Sequence, residues 1–170
     1  MSVEEHDYVY KDYSLHSHDF INGIRCLRAG LNQDAHRYFQ LSYESVKNSD
    51  VYHNKYASFC GLLRLLHGDH GGLTLCRNVA RGEIHDGDVY LNLARAEWFY
   101  GDRKKTVCAI LKGLEIDETH MGLLQIYTDL GVRDFKPIPW ISRKNILNVW
   151  VGRLLRKRES LWDGNYPFRF

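Results

Sequence analysis

The sequence has little proline, and its few prolines lie near one end. Only Pro137, Pro139 and Pro167 occur, so the first 136 residues contain none. Because proline interrupts helices, this long stretch is free to form continuous ones. No apolar run approaches the roughly 18 residues needed to cross a bilayer, and the polar, acidic start lacks the apolar core of a signal peptide. We therefore expect a soluble protein.

Cysteine is also scarce, and none of it lies in a C-x-x-C pair. The four residues Cys26, Cys60, Cys76 and Cys108 are each embedded in an apolar, helix-like stretch. Disulfide frameworks are typical of shorter, secreted chains, whereas a buried free cysteine behaves as a small hydrophobic residue. The sequence predicts four reduced core cysteines in a cytoplasmic protein, with attachment to the periphery of a membrane as an alternative.

Motifs for catalysis are missing too. The chain has no G-x-S-x-G, P-loop or H-E-x-x-H pattern. The densest group of potential metal ligands is His67, Asp69 and His70, which offers at most three ligands in one turn, with no obvious fourth. A metal site needs three or four converging ligands. We therefore predict no catalytic residues, no metal site and no cofactor.

What the sequence does contain is a repeated pattern. Three similar segments span residues 20–43, 56–80 and 90–114. Each has an apolar stretch, a short glycine-containing turn and a second amphipathic stretch. The turns comprise residues 30–34, 68–72 and 101–105. Glycine tolerates the left-handed conformation that ends a helix, and a nearby Asp or Asn can cap the next one, so each segment predicts an antiparallel helical hairpin.

These segments resemble the tetratricopeptide repeat (TPR) family, whose repeat is about 34 residues long. Gly30 and Gly68 are 38 positions apart, and Gly68 and Gly101 are 33 apart. The resemblance covers residues 16–131. It implies an all-α fold of antiparallel hairpins stacked in a short right-handed superhelix, with a C-terminal capping helix. An ordinary helical bundle is the alternative, because it obeys the same packing rules.

Family positions transfer residue by residue. The small residue of the first helix falls on Gly23, Gly61 and Ala94. The small residue at the start of the second helix matches Ala35 in the first segment, but Leu73 and Thr106 replace it in the other two. The small residue near the end of the second helix falls on Ser42, Ala80 and Gly113. The large apolar residue of the second helix matches Phe39 and Ile110, whereas Arg77 departs from it.

A concave groove lined by first helices is implied by the same resemblance, and such a surface suits a peptide or helix of a partner protein. The predicted groove positions are Phe20, Ile24, Leu27, Lys55, Ser58, Leu62, Leu65, Leu91, Asn92, Arg95 and Trp98. For any one apolar member, a place in the core is the competing interpretation. One TPR subclass grips C-terminal carboxylates with a Lys/Asn/Arg clamp; here only Lys55, Asn92 and Arg95 could contribute, so the clamp is incomplete. We expect Arg95 and Trp98 to help bind the partner, since Arg and Trp are enriched in interface hot spots.

The two ends differ from the middle. Residues 1–15 form an acidic, tyrosine-rich segment, and residues 132–170 form a basic one with an amphipathic helix and an aromatic tail. The predicted basic surface comprises Arg143, Lys144, Arg153, Arg156, Lys157 and Arg158. This helix could cap the fold, lie on an anionic membrane or dock an acidic partner, with nucleic acid the weakest candidate. The sequence thus predicts a protein-binding adaptor, assembly factor or chaperone-like holder. A membrane-peripheral assembly protein is the alternative, and an enzyme or metal-binding protein is the outsider.

Overall fold

A computed structural model describes residues 15–130, which form helices and turns and contain no β-strand. The helices are α1 (His18–Arg28), α2 (Asn32–Ser45), α3 (His53–Leu66), α4 (Gly71–Arg81), α5 (Gly87–Tyr100), α6 (Arg103–Ile116) and α7 (Met121–Asp129). The all-α prediction is confirmed for this range. None of these helices is long and apolar enough to span a bilayer.

Successive helices pair as hairpins, and we number them in chain order. Hairpin 1 is α1 with α2, hairpin 2 is α3 with α4, and hairpin 3 is α5 with α6; in each the two helices pack closely together. Gly30, Gly68 and Gly101 take positive φ angles of 74°, 91° and 89° in the connecting turns. Only glycine adopts this conformation without strain. The turns predicted at these glycines are therefore confirmed.

A side-chain cap at the N-cap residue is confirmed only for α6, although Asp69 also accepts a hydrogen bond from the backbone N–H of Gly71 at the start of α4. Asp102 accepts a hydrogen bond from the Lys105 backbone at the start of α6. Helix α2 has Leu31 at its N-cap, without a side-chain cap. Asn32 is already the first helical residue, so it lies one position too late to cap the helix.

Small residues let the two helices of a hairpin approach each other. A Cβ atom on Gly23 of α1 would lie 2.7 Å from the ring of Phe39 on α2. A Cβ atom on Gly61 of α3 would lie 2.8 Å from the backbone oxygen of Gly72 on α4. Real Cβ atoms do not approach other atoms so closely, so a side chain at Gly61 would meet fixed backbone and one at Gly23 would displace the Phe39 ring. Ala94, the corresponding residue of α5, is fully buried.

Aromatic rings join hairpin 1 to hairpin 2. Phe20 of α1 stacks on Tyr56 of α3 with ring centroids 4.5 Å apart, and Phe39 of α2 lies 4.9 Å from Phe59 of α3. Such pairs add about 0.5–1.5 kcal/mol beyond the burial of their area. The core is therefore continuous between these two hairpins.

The loop between hairpins 2 and 3 is held by Glu83. Its carboxylate accepts hydrogen bonds from the Asn54 side chain and from the backbone of Ile84, His85 and Asp86. Burial alone would raise the pKa of Glu83, but these donors outweigh it and hold the pKa below its ordinary value. The loop therefore enters α5 in a fixed direction.

Candidate functional site

Most of the predicted groove positions are buried rather than lining an accessible surface. Among the eleven, only Arg95 and Trp98 retain partial exposure. The buried members are Phe20, Ile24, Leu27, Lys55, Ser58, Leu62, Leu65, Leu91 and Asn92. Helical spacing alone cannot tell whether an apolar face meets a neighbour or a partner. The structure thus places these nine side chains inside the fold, and contact of any of them with a partner stays a prediction.

Lys55 is the centre of a buried ionic cluster. Its ammonium lies 3.0 Å from a carboxylate oxygen of Asp86 and 3.0 Å from one of Asp88, which joins α3 to the start of α5. Burial alone would lower the pKa of Lys55. The negative charges of Asp88 and, to a smaller extent, Asp86 outweigh this effect and raise the pKa. Both carboxylates belong to this chain, so Lys55 is already engaged within the fold.

His120 extends this cluster to α7. Its Nε2 atom lies 2.9 Å from an oxygen of Asp88, while its Nδ1 atom accepts a hydrogen bond from the backbone N–H of Leu123. Since Nδ1 accepts, the proton sits on Nε2 and is donated to Asp88. Asp88 thereby links hairpins 2 and 3 to the helix that follows them.

Asn92, another residue of the incomplete Lys/Asn/Arg clamp, is also engaged within the fold. It is fully buried, and its side-chain amide donates to the hydroxyl of Ser58 over 3.0 Å. Two of the predicted groove residues therefore bond each other across α3 and α5, which stabilises the contact between the hairpins.

Arg95 and Trp98 lie toward the C-terminal end of α5, where the helix becomes more exposed. Both are half-buried, and the next two residues, Phe99 and Tyr100, are 44% and 57% exposed. The guanidinium of Arg77 lies over the Tyr100 ring, 6.0 Å from its centroid. Of the predicted groove positions, only those at the C-terminal end of α5 therefore remain partly accessible. Aromatic rings and a cation lie at this end of the helix.

Arg77 of α4 occupies the position at which hairpins 1 and 3 place a large apolar residue. Phe39 and Ile110, its equivalents, are fully buried. Arg77 instead makes two hydrogen bonds to the carboxylate of Glu97 on α5, over 2.6 and 2.8 Å. Glu97 is only 2% exposed. This bidentate pair compensates for a charged residue at an apolar position of the repeat.

A groove of about 380 Å³ opens beside this pair, between α4, α5 and α6. We call it the α4–α6 groove, lined by Arg77, Ala80, Arg81, Tyr90, Leu93, Glu97, Lys105, Cys108, Ala109 and Lys112. Its volume is within the range of pockets that hold small ligands or single side chains. Sequence analysis missed this groove, although the departure at Arg77 was the available signal for it.

The cysteine prediction is right in part and wrong at Cys108. All four cysteines are free; Cys60 and Cys76 are buried and Cys26 is half-buried, but Cys108 is exposed at the α4–α6 groove. Burial raises the pKa of Cys60 to about 11 and that of Cys76 to about 12. Cys108 lies on the face of α6 that turns toward the groove rather than toward the core.

Selective labelling at Cys108 follows from this difference. A thiol must be accessible and deprotonated to react, so a maleimide is expected to modify Cys108 first and Cys26 more slowly. Cys60 and Cys76 are expected to react only once the protein is unfolded. Mass spectrometry of a labelling time course measures this, with Cys108→Ser as the control. Early modification of Cys60 or Cys76 under native conditions would contradict the packing of α3 on α4.

Some sequence predictions lie outside the described residues. These are the acidic N-terminal segment up to residue 14 and the basic surface at Arg143, Lys144, Arg153, Arg156, Lys157 and Arg158. Between residues 15 and 130, no group of three or more His, Cys, Asp or Glu side chains is placed to hold a metal ion. In comparisons with known proteins, no protein-family model and no curated protein sequence matched this chain.

Proposed function

We propose that this chain is a TPR-like stack of helical hairpins, wound as a short right-handed superhelix, that binds a segment of another protein. The role is non-enzymatic and needs no cofactor. Stacked hairpins present extended surfaces to partner peptides or helices, which is how such repeats are used. The observation that carries the proposal is the repetition of one hairpin geometry three times.

This repetition extends to the contacts between hairpins. Helices α3 and α4 both pack on α5, and α5 and α6 both pack on α7. Hairpins 2 and 3 thus each use both of their helices to cover the helix that follows, whereas hairpin 1 packs on α3 chiefly through α2. A single hairpin cannot bury its apolar faces alone, whereas a regular stack of this kind can.

The end of α5 is the surface we propose for the partner. It carries Arg95 and Trp98, residue types enriched in hot spots, within two turns of the exposed residues Phe99 and Tyr100. An amphipathic helix or hydrophobic peptide would fit this combination of rings and one cation.

Alanine substitution tests the assignment of this surface. Arg95→Ala and Trp98→Ala are each expected to reduce capture of the partner by about tenfold or more, because a hot-spot truncation costs about 2 kcal/mol. Affinity purification of the tagged full-length chain from native cells, quantified by mass spectrometry, measures the capture. Arg37→Ala, which removes an exposed arginine from α2, is the matched control and is expected to bind normally.

Loss of folding must be separated from loss of binding. Trp98 also packs against the core of hairpin 3, so Trp98→Leu provides a variant that keeps apolar bulk. Thermal unfolding of each variant establishes that it is folded at the temperature of the experiment. Undiminished capture by folded Arg95→Ala and Trp98→Ala proteins would overturn the assignment of this surface.

Membrane attachment through the basic C-terminal segment remains the alternative, and its residues lie outside the described range. Cosedimentation of the full-length chain with anionic vesicles tests it, since a basic amphipathic helix binds such surfaces in a salt-dependent way. Absence of sedimentation with the vesicles would remove this alternative.

A further inference from the structure

The α4–α6 groove lies where the hairpin repeat is broken. Phe39 and Ile110 fill the corresponding position in the other hairpins, but Arg77 turns to Glu97 and leaves space beside it. A local departure with a built compensation is expected at functional positions more than elsewhere. The groove is therefore a candidate for a second binding surface, which adjoins the end of α5 at Arg77.

The floor of this groove is apolar. Ala80 of α4, Leu93 of α5 and Ala109 of α6 line it together with Tyr90. The hydroxyl of Tyr90 donates to the backbone oxygens of Ala80 and Glu83, so its polar end is satisfied inside the fold. A ligand lying on this floor meets carbon rather than hydrogen-bonding groups, which suits one or two apolar side chains.

The rim of the groove is cationic. Arg77, Arg81, Lys105 and Lys112 contribute four positive charges, while Glu97 is the one carboxylate in the lining. Two of these cations already have partners, because Arg77 pairs with Glu97 and Lys105 pairs with Asp102 over 2.8 Å.

Arg81 and Lys112 are the two remaining rim cations. Both are exposed, and neither makes an ion pair with any residue between 15 and 130. Glu115 lies three residues after Lys112 on α6, but the two side chains do not form an ion pair. An incoming carboxylate would therefore find two cations that no described acid neutralises.

We infer that the α4–α6 groove binds an acidic segment of a partner protein. One or two apolar side chains of that segment lie on the floor, and flanking carboxylates contact Arg81 and Lys112. The inference takes from the proposed function only that the partner is a protein. It uses a surface that shares no residue with Arg95 and Trp98.

A peptide fits this site better than a nucleic acid does. Residues 15–130 contain 13 Lys and Arg against 14 Asp and Glu, so no broad positive field draws a polyanion to them. Nucleic-acid binding depends on neutralising many phosphates, whereas two unpaired cations beside an apolar floor suit one short mixed segment. Charge and apolar contact together would select the ligand.

Binding of a synthetic peptide tests the inference. The probe is a short fluorescein-labelled peptide in which leucines interrupt a run of glutamates, titrated with the full-length chain and followed by fluorescence anisotropy. The double variant Arg81→Glu, Lys112→Glu is expected to weaken binding at least tenfold, because two attractive contacts become repulsive. Binding by the unaltered chain is expected to weaken as salt is raised, since the contacts are exposed.

A matched control keeps the change in total charge identical. Arg37→Glu with Lys47→Glu alters one exposed arginine and one exposed lysine of hairpin 1 and the segment after it. This variant is expected to bind the peptide like the unaltered chain. Equal weakening in both double variants would show a general charge effect and overturn the groove assignment. No measurable binding by the unaltered chain would overturn it as well.

A second peptide and two competitors decide the class of ligand. A glutamate-only peptide is expected to bind more weakly than the leucine-containing one, and equal affinity would overturn the role of the apolar floor. If an oligonucleotide or anionic vesicles displace the probe more effectively than unlabelled peptide does, the inference of a protein ligand is overturned. Failure of Arg95→Ala and Trp98→Ala to affect partner capture would bear on the proposed function alone.

Discussion

Lys55→Met is expected to lower the free energy of unfolding by about 3–5 kcal/mol, because removing one partner of a buried ionic group leaves charges that the remaining groups do not compensate. Lys55 is buried and lies 3.0 Å from both Asp86 and Asp88. Chemical denaturation at neutral pH measures the loss. Lys47→Met, an exposed lysine changed in the same way, is expected to alter stability by less than about 0.5 kcal/mol.

Two further measurements distinguish charge from packing at this site. Adding Asp86→Asn and Asp88→Asn to Lys55→Met is expected to recover part of the lost stability, since the uncompensated carboxylates are then gone. The raised pKa of Lys55 means that its contribution is complete below the ordinary pKa of 10.5 and is lost as the pH rises through the raised value. On the alkaline side, the difference between the unaltered chain and Lys55→Met is therefore expected to shrink only in strong alkali. A Lys55→Met protein as stable as the unaltered chain at neutral pH would contradict the cluster.

Gly72→Ala is expected to destabilise the protein by about 3 kcal/mol, through overpacking between α3 and α4. Its added Cβ atom would clash with the backbone oxygen of Gly61 and lie 2.7 Å from the backbone nitrogen of Leu65. Neither backbone atom can rotate away as a side chain could. Equilibrium denaturation compares the variant with the unaltered chain.

Gly82→Ala is the matched control for this substitution. Gly82 has a negative φ angle of −105°, and a Cβ atom there would meet nothing within 4 Å. Alanine at such a position is expected to be neutral or to stabilise by up to about 1 kcal/mol, by restricting the unfolded chain. If Gly72→Ala were as well tolerated as Gly82→Ala, the close contact inside hairpin 2 would be wrong.

Local features of this fold could be predicted from the sequence. A glycine that ends a helix has few other roles, so Gly30, Gly68 and Gly101 marked the turns in advance. Small residues at matching positions likewise indicated the close helix contacts at Gly23 and Gly61. Both features depend on residues near in sequence, or on a pattern repeated along it.

The candidate site was harder to predict because it depends on distant residues. Lys55 looked like a clamp residue until the structure placed Asp86 and Asp88 beside it. Leu62 and Leu65 have the same spacing whether a neighbouring hairpin or a partner covers them, so their burial was not deducible. Arg77 did stand out as a departure from the repeat, but its partner Glu97 became identifiable only with the fold.

The two proposed surfaces differ in the ligand they would take. The end of α5 offers rings and one cation, whereas the α4–α6 groove offers an apolar floor beneath two unpaired cations. A partner could use one surface or span both, and the separate variants distinguish these cases. Neither surface involves the ionic cluster at Lys55, whose role is to hold the hairpins together.

Site-specific photo-crosslinking tests most directly whether this chain holds another polypeptide. A photoreactive phenylalanine replaces Trp98 in full-length protein expressed in native cells, and Val51, which is 85% exposed in the loop between hairpins 1 and 2, is replaced as the control. We predict a discrete covalent adduct with a second polypeptide from position 98 and none from position 51. Adducts of equal yield from both positions, or none from position 98 in a folded protein, would contradict the proposed function.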